Sequence, residues 1–196
     1  MKKDDRNSSE GNNSDNNDNG NNDVSNNIGK FFIWIAWILA IGVLVFIFQE
    51  TLERQWNPNE NPDVYLSNTG RAEVHLQQNR QGHYVVQGSI NDQKAIFLLD
   101  TGATQVSIPA HIAEQLGLKA QQGRNSRHLV NTANGTVTVY QTTLEQLSIG
   151  NIFLYNVAAH INPAMKSDEI LLGMSALKRV EFSQTGKQLI LREQQE

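Results

Sequence analysis

The sequence predicts a mostly β domain with one or two short helices, preceded by a transmembrane helix. Three observations lead to this fold class. Between residues 71 and 196, short apolar runs alternate with Gly, Asn and Pro turn signals, as in strands joined by hairpins. One stretch there, Ala110 to Leu116, has a convincing helical pattern, with Pro109 before it and Gly117 after it. Upstream of this region, residues 31–48 form an unbroken apolar run.

Composition excludes several kinds of function. The chain of 196 residues contains no cysteine, which rules out a disulfide framework, a thiolate zinc site and a cysteine nucleophile. From residue 65 to residue 196, eleven Lys and Arg balance ten Asp and Glu, so the net charge of −4 arises in the N-terminal part. A domain with nearly equal numbers of positive and negative side chains lacks the basic surface that is typical of a nucleic-acid-binding protein. We therefore expect no nucleic-acid partner.

The N-terminal part divides into three predicted regions. Residues 1–30 hold ten Asn and almost no large apolar side chains, which predicts a disordered tail, with a specific binding tail as the alternative. Residues 31–48 (FFIWIAWILAIGVLVFIF) predict a transmembrane helix, since a core helix normally has a polar face and a signal peptide a shorter apolar run. Residues 49–70, with two Asn-Pro pairs, predict a linker, and residues 71–196 the folded domain.

The orientation of this helix depends on the flanking basic residues. Lys30 and Arg54 nearly balance on its two sides, while Lys2, Lys3 and Arg6 favour an N-terminus inside the cell. We therefore expect a single-pass inner-membrane protein with a cytoplasmic N-terminus. In a Gram-negative bacterium this places the domain in the periplasm, and the reverse topology would leave it in the cytoplasm.

The folded region contains several local signals for strands and turns. Strands are predicted near residues 72–77, 83–90 and 95–99. Asn134-Gly135 predicts a two-residue hairpin turn, because both residues tolerate positive φ. Further hairpins are indicated at Gly150-Asn151 and Thr185-Gly186.

The chemistry-bearing segment begins where the third predicted strand ends. The sequence AIFLLDTGAT places the carboxylate of Asp100 where an apolar strand breaks into a turn of small residues, an arrangement that partly buries the acid. Gly102 allows the backbone to turn tightly, and Thr101 offers a hydroxyl that can hold the turn against a second copy of itself.

Three motifs in a fixed order resemble those of the retropepsin-like (clan AA) aspartic peptidases over roughly the last 130 residues. They are the catalytic loop Asp100, Thr101, Gly102, Ala103 and Thr104, the flap Asn134, Gly135 and Thr136, and a later apolar-apolar-Gly motif, Leu171, Leu172 and Gly173, beside the catalytic loop. With the leading apolar helix, the whole chain also looks like a bacterial, membrane-anchored group of such peptidases.

This resemblance implies a single-lobed acid-protease barrel with Asp100 as the catalytic residue. The chemistry needs two carboxylates, and a domain with one Asp-Thr-Gly is too short for two lobes, so a homodimer is expected to supply the second. The two close carboxylates would share a proton and activate a water that hydrolyses a polypeptide, with no metal and no cofactor. The resemblance further implies that Thr101 interlocks with its symmetry mate and that the flap closes over the substrate.

The sequence also departs from the retroviral pattern. Gln105 stands where the retroviral enzymes carry an acidic residue, and Met174 where they carry Arg, so we expect their intersubunit salt-bridge network to be missing. These departures motivate an alternative, a catalytically silent peptide-binding or dimerisation module on a membrane stalk. In a third alternative, a general β-barrel interaction domain, Asp100 is only structural.

The histidines are interpreted as ordinary surface or core residues. They have no metal-ligand spacing, so none is assigned to a metal site or to catalysis. The five are His75, His83, His111, His128 and His160.

Overall fold

The computed structural model describes residues 21–67, 69–123, 126–132 and 135–194, and for residues 21–29 and 50–54 it describes the backbone alone. The chain divides into two units after Phe48, and each is described by itself.

A long N-terminal helix, α1 (Asn21–Trp56), contains the apolar run. Within the described residues, Lys30–Gln49 is the one helical segment long and apolar enough to cross a membrane, a property that membrane spans share with signal sequences. The helix extends beyond the predicted 31–48 at both ends. At its C-terminal end, the sequence ETLERQ contains good helix formers, and neither Gly nor Pro interrupts it before Pro58. Residues 21–30, assigned above to the tail, continue the helix at the other end, since propagation adds a hydrogen bond for each residue.

The second unit is mostly β, as predicted. Its two short helices are α2 (Ala110–Gln115) and α3 (Met174–Leu177). The described strands are β1 (Asp63–Leu66), β2 (Ala72–Gln77), β3 (Val85–Ile90), β4 (Gln93–Leu99), β5 (Val106–Pro109), β6 (Arg127–Thr132), β7 (Gly135–Ile149), β8 (Ile152–Asn162), β9 (Ile170–Leu172), β10 (Val180–Thr185) and β11 (Gln188–Glu193).

The larger sheet closes on itself as a barrel. Its strand order is β3-β4-β9-β5-β8-β7-β6, and β3 also pairs with β7 through Ser89 opposite Ser148 and Ile90 opposite Leu147. Strand β6 continues past this closure as one arm of a hairpin with β7. Fully buried apolar side chains fill the barrel, among them Phe97 and Leu144. Closure leaves no open edge between β3 and β7 and fixes the strand ends that carry Asp100.

The smaller sheet is antiparallel, with the order β1-β2-β11-β10. Its strands come from both ends of the unit, so it joins the segment before the barrel to the last strands of the chain. The hairpin between β10 and β11 has Gly186 and Lys187 at its turn, because Thr185 pairs with Gln188. The predicted turn at Thr185-Gly186 is therefore displaced by one residue, whereas the turn at Gly150-Asn151 is found as predicted.

The structure corrects the predicted linker, because much of residues 49–70 belongs to the domain. Strand β1 lies inside this range and pairs with β2. Asn59 is 2% exposed and bridges to Val86 of the barrel. Its side-chain amide donates to the carbonyl oxygens of Gln77 and Val85, and its Oδ1 accepts from Gln77 N–H. The Asn-Pro pairs that suggest a solvated linker thus belong to a segment hydrogen-bonded to β2 and β3, and the ordered part begins well before Arg71.

A partly buried ion cluster ties β2 to β11. Glu73 Oε2 accepts from Arg192 Nε at 2.6 Å, and Glu73 Oε1 lies 2.5 Å from His75 Nε2. The hydrogen bond from Arg192, and then that from His75, holds the pKa of Glu73 below its usual value, and burial opposes this effect.

This cluster predicts a loss of stability in acid. Because the pKa of Glu73 is lower in the folded state, its contribution is present above the unfolded value, near 4.5, and is lost as the pH falls through the folded value. Denaturant unfolding of the full chain should show a destabilising effect of Glu73→Gln at pH 6 that shrinks at pH 3. Glu181→Gln, at an exposed carboxylate paired with Arg71, is the control and should change the unfolding free energy by roughly 0.5 kcal/mol or less at either pH. A Glu73→Gln effect of equal size at both pH values would contradict the prediction.

Candidate active site

The loop that carries Asp100 is positioned by the central strands of the barrel. Strand β4 runs parallel to β9, with Leu98 opposite Leu171 and Leu99 opposite Leu172. Directly after β4, Asp100 N–H donates to Leu172 O at 3.1 Å. The chain then turns, and Ala103 N–H donates to Asp100 O at 3.2 Å. The apolar strand therefore ends at the acid, and the turn aims its side chain away from the core.

The Asp100 carboxylate is half-buried and oriented by its own loop. Gly102 N–H donates to Asp100 Oδ1 at 2.8 Å. Thr101 and Gly102 are exposed, and in the part of the chain that the structure describes the Thr101 hydroxyl makes no hydrogen bond. One carboxylate oxygen is thus held by the backbone.

The Leu171, Leu172 and Gly173 segment packs against the catalytic loop, as the resemblance implies. Met174 N–H donates to Ala103 O at 2.8 Å. A Cβ on Gly173 would lie 2.7 Å from Ala103 O and would also overlap the carbonyl oxygen of Gln105. A glycine is therefore required at this position, since any side chain would push the two loops apart.

Two of the predicted flap residues, Gly135 and Thr136, begin β7 in the hairpin of β6 and β7, whose register differs from the predicted one. Thr132 pairs with Gly135, so Gly135 belongs to the strand pair and not to the turn predicted at Asn134-Gly135. Asn134, one of the predicted flap residues, lies outside the described residues. Gly135 is the first residue of β7 and has φ +111°, which glycine adopts readily. The sequence signal located the hairpin but placed its turn one residue too far along.

Hydrogen bonds between side chains support this end of the hairpin. Thr136 Oγ1 donates to Asn131 Oδ1 at 2.8 Å, and Thr132 Oγ1 donates to Gly135 O at 2.8 Å. These hydrogen bonds therefore join β6 to β7 next to the turn.

An open groove of about 720 Å³ runs between the catalytic loop and the hairpin. Of the predicted residues, Asp100, Gly102, Ala103, Thr104 and Leu171 line it. Thr101, Gly135, Thr136, Leu172 and Gly173 do not line it and lie in its supporting loops and strands. The structure thus brings four residues of the predicted catalytic loop and one residue of the later motif to the same groove.

Other residues that line the groove belong to none of the three sequence motifs. They come from β5, β8 and the loop after β8, and include Ser107, His160, Asn162 and Lys166. Strand β8 runs beside β5, with His160 opposite Ser107, and this long-range parallel pairing leaves no local signal. Two of the other histidines have acidic partners, His75 with Glu73 and His111 with Asp168.

The electrostatics of His160 are set by its surroundings. Burial, and then the nearby His128, lower the pKa of His160. The imidazole is therefore held in its neutral form to lower pH than an exposed histidine.

Comparison with known proteins agrees with this fold. Residues 86–179, which include Asp100, the hairpin and Gly173, match the family described as gag-polyprotein putative aspartyl protease. The crystal structure of a retropepsin-like aspartic protease from Rickettsia conorii is similar, with a TM-score of 0.50 and 30% identity, over 61% of this chain and 98% of that one.

Two curated relatives are uncharacterised bacterial proteins. One, from the 5′ region of cobV in a Sinorhizobium species, is 30% identical over 159 residues, or 78% of this chain. The other, from Rickettsia prowazekii (strain Madrid E), is 28% identical over 127 residues, or 65% of this chain. The matched regions span 67% and 54% of the lengths of these relatives.

The class defined by these similarities is that of the aspartic proteases. Within that class, the chain belongs to the retropepsin-like family.

Proposed function

We propose that the protein is an aspartic endopeptidase whose active site forms between the Asp100 carboxylates of two identical chains. The observation that carries this proposal is the half-buried Asp100 side chain at an open groove bounded by the hairpin strands. A groove of about 720 Å³ has room for several residues of an extended peptide.

The need for a second chain follows from the residues that line the groove. Among the described lining residues, Asp100 is the one carboxylate. Hydrolysis by an aspartic peptidase uses one carboxylate as a base and a second as an acid. A symmetric dimer supplies both from the same position, and it gives the exposed Thr101 hydroxyl a symmetry-related partner below the pair.

The proposed reaction requires no group beyond the two carboxyls and a water molecule. The two carboxyls share one proton, because like charges so close together are not both ionised. The ionised member takes a proton from water while the water oxygen bonds to the peptide carbonyl carbon, and the protonated member donates to the carbonyl oxygen. When the C–N bond breaks, the proton taken from water passes to the leaving nitrogen. The proton on the former carbonyl oxygen returns to the carboxylate that donated it as the C=O bond re-forms, so the pair again holds one proton. The bond from Gly102 N–H fixes the Asp100 carboxylate for this exchange.

We propose that the substrate lies in the groove as an extended strand beneath the flap. An extended peptide gains affinity from main-chain hydrogen bonds and specificity from alternate side-chain pockets. Gly102 would contact the substrate backbone, and Asn134, Gly135 and Thr136 would close over it. The hairpin strands already border the groove through Val130, Asn131, Thr132 and Val137.

The proposed location is a membrane. Residues 30–49 are long and apolar enough to serve as an anchor, and the basic residues before them favour a cytoplasmic N-terminus. The peptidase domain would then face the periplasm, with residues 1–20 in a cytoplasmic tail.

The test uses the purified full chain in detergent with a mixture of denatured proteins between about pH 3 and pH 7, the range in which paired carboxylates usually titrate. We expect new peptide termini to accumulate. Binding of peptides without any cleavage, by a chain shown to be dimeric, would instead support the catalytically silent module.

A mixing experiment tests the shared site. When wild-type and Asp100→Asn chains exchange freely, only pairs of wild-type chains keep both carboxylates, so an equal mixture should retain about a quarter of the wild-type activity. Exchange is checked with fluorescently labelled chains, and mixing with Asp92→Asn, which changes an exposed turn, should leave activity unchanged. A decline to one half would indicate a site complete within one chain.

A further inference from the structure

A side pocket of about 240 Å³ opens beside the groove. Thr104, Val130 and His160 line both the groove and this pocket. A peptide strand in the groove can therefore extend one side chain into the pocket without leaving its extended conformation.

The pocket has an apolar wall and a polar end. The hairpin strands supply the apolar wall through Leu129, Val130 and Val139. The polar lining residues are Thr104, Gln105, His128, Gln141 and His160. None of the described lining residues carries a carboxylate. This combination fits a side chain with a short apolar stem and a polar, uncharged or negatively charged end.

His160 is the buried polar group of this pocket. It lies opposite Ser107 of β5 and Gln141 of β7, so these three side chains share one face of the sheet. His160 is 9% exposed, and no described residue forms a hydrogen bond with its imidazole. The hydroxyl of Ser107, which lies opposite His160 on β5, donates to Met165 Sδ at 3.1 Å. Within the part of the chain that the structure describes, the imidazole nitrogens are therefore available to a molecule bound in the groove.

We infer that this pocket is a substrate subsite that selects a glutamine or glutamate side chain, with His160 as its specificity-determining residue. The inference rests on the proposed peptidase function, since it names the substrate class for that same groove. A neutral imidazole offers one N–H donor and one acceptor nitrogen. A carboxamide can use both and a carboxylate can use the donor, with the amides of Gln105 and Gln141 as further donors.

Other side chains fit the pocket less well. Leucine fills the apolar wall but leaves the imidazole without a hydrogen bond, and a site of this kind discriminates against a substrate that lacks the polar group. Lysine finds no carboxylate among the described lining residues and faces two histidines, His128 and His160. The lowered pKa of His160 keeps its ring neutral near pH 7, so the acceptor nitrogen remains available to a carboxamide.

The test compares peptides that differ at one position. A peptide cleaved by the full chain is remade with Gln, Glu, Leu or Lys at each position near the scissile bond in turn. At one position, kcat/KM should be about 10-fold or more higher for Gln and Glu than for Leu and Lys. His160→Phe should remove this preference, His160→Gln should retain most of it, and His83→Phe, at an exposed histidine outside both cavities, should leave it unchanged.

Two further measurements keep the result interpretable. If His160→Phe does not fold, Gln105→Leu at the half-buried edge of the pocket should weaken the same preference. Fluorescein-labelled Gln and Leu peptides are also titrated into the Asp100→Asn chain, which keeps the pocket. The Gln peptide should bind the Asp100→Asn chain more tightly than the Leu peptide, and the Asp100→Asn, His160→Phe double variant should lose this difference. This result supports the subsite even if the wild type cleaves nothing. In that case only the proposed hydrolysis fails. Equal preference with and without His160, in cleavage or in binding, overturns the inference.

Discussion

Replacing Asp100 by Asn should lower the rate of peptide-bond hydrolysis by about 10⁴-fold. In a homodimer the single substitution removes both carboxylates, and an amide neither takes a proton from water nor gives one to the leaving nitrogen. Asn has the same shape as Asp, and its Oδ1 can still accept from Gly102 N–H. The fold should therefore survive, and thermal unfolding of the variant should resemble that of the wild type. The measurement is kcat/KM of the full chain in detergent on a single peptide.

The matched control for this loss is Asp92→Asn. Asp92 lies in the turn between β3 and β4, is exposed, and has φ +65°, a conformation that Asn tolerates well. The same change of charge should therefore leave both rate and stability near wild-type values. If Asp100→Asn kept more than about a tenth of the activity, Asp100 would not be the catalytic acid and base. The general β-barrel interaction domain, in which Asp100 has no chemical role, would then be the better explanation.

Local sequence signals predicted the parts of the site that local physics determines. The apolar run before Asp100 folds as β4, and the hairpin of β6 and β7 forms next to the Asn134-Gly135 signal, with Gly135 at positive φ. The predicted turn is one residue too far along, because Gly135 already pairs with Thr132 as the first residue of β7. Motif order identified the contact between Gly173 and the catalytic loop, and the close approach of the backbones explains why glycine is needed there.

Contacts between distant strands could not be predicted in the same way. His160 lies in the groove because β8 runs between β5 and β7, and no pattern near His160 indicates either neighbour. An isolated histidine is usually a surface or core residue, so the spacing of the histidines does not indicate that His160 lines the groove. The sequence of the loop after β8 likewise does not indicate that the loop lines the groove, since its position depends on where the parallel pair of β5 and β8 ends.

The linker prediction failed for a related reason, and it leads to the second large expected effect. The two Asn-Pro pairs and the charges of residues 49–70 predict a linker, yet the Asn59 side chain in this range makes three hydrogen bonds to the backbones of β2 and β3. Asn59→Ala should destabilise the domain by about 3 kcal/mol, because it leaves the Val85 and Gln77 carbonyls and the Gln77 N–H without these partners.

Asn61→Ala is the matched control for this prediction, because Asn61 is exposed in the same segment and the structure gives it no hydrogen bond within the described residues. Chemical unfolding of the full chain, followed by the near-ultraviolet signal of the domain, should show a large shift for Asn59→Ala and almost none for Asn61→Ala. Limited proteolysis gives a second readout, since loss of the Asn59 bonds should expose residues 57–62 to cleavage while the barrel stays intact. Equal stability of the two variants would mean that this segment is held by its backbone contacts alone, such as Gln87 N–H to Asn59 O, and that the domain begins later in the chain.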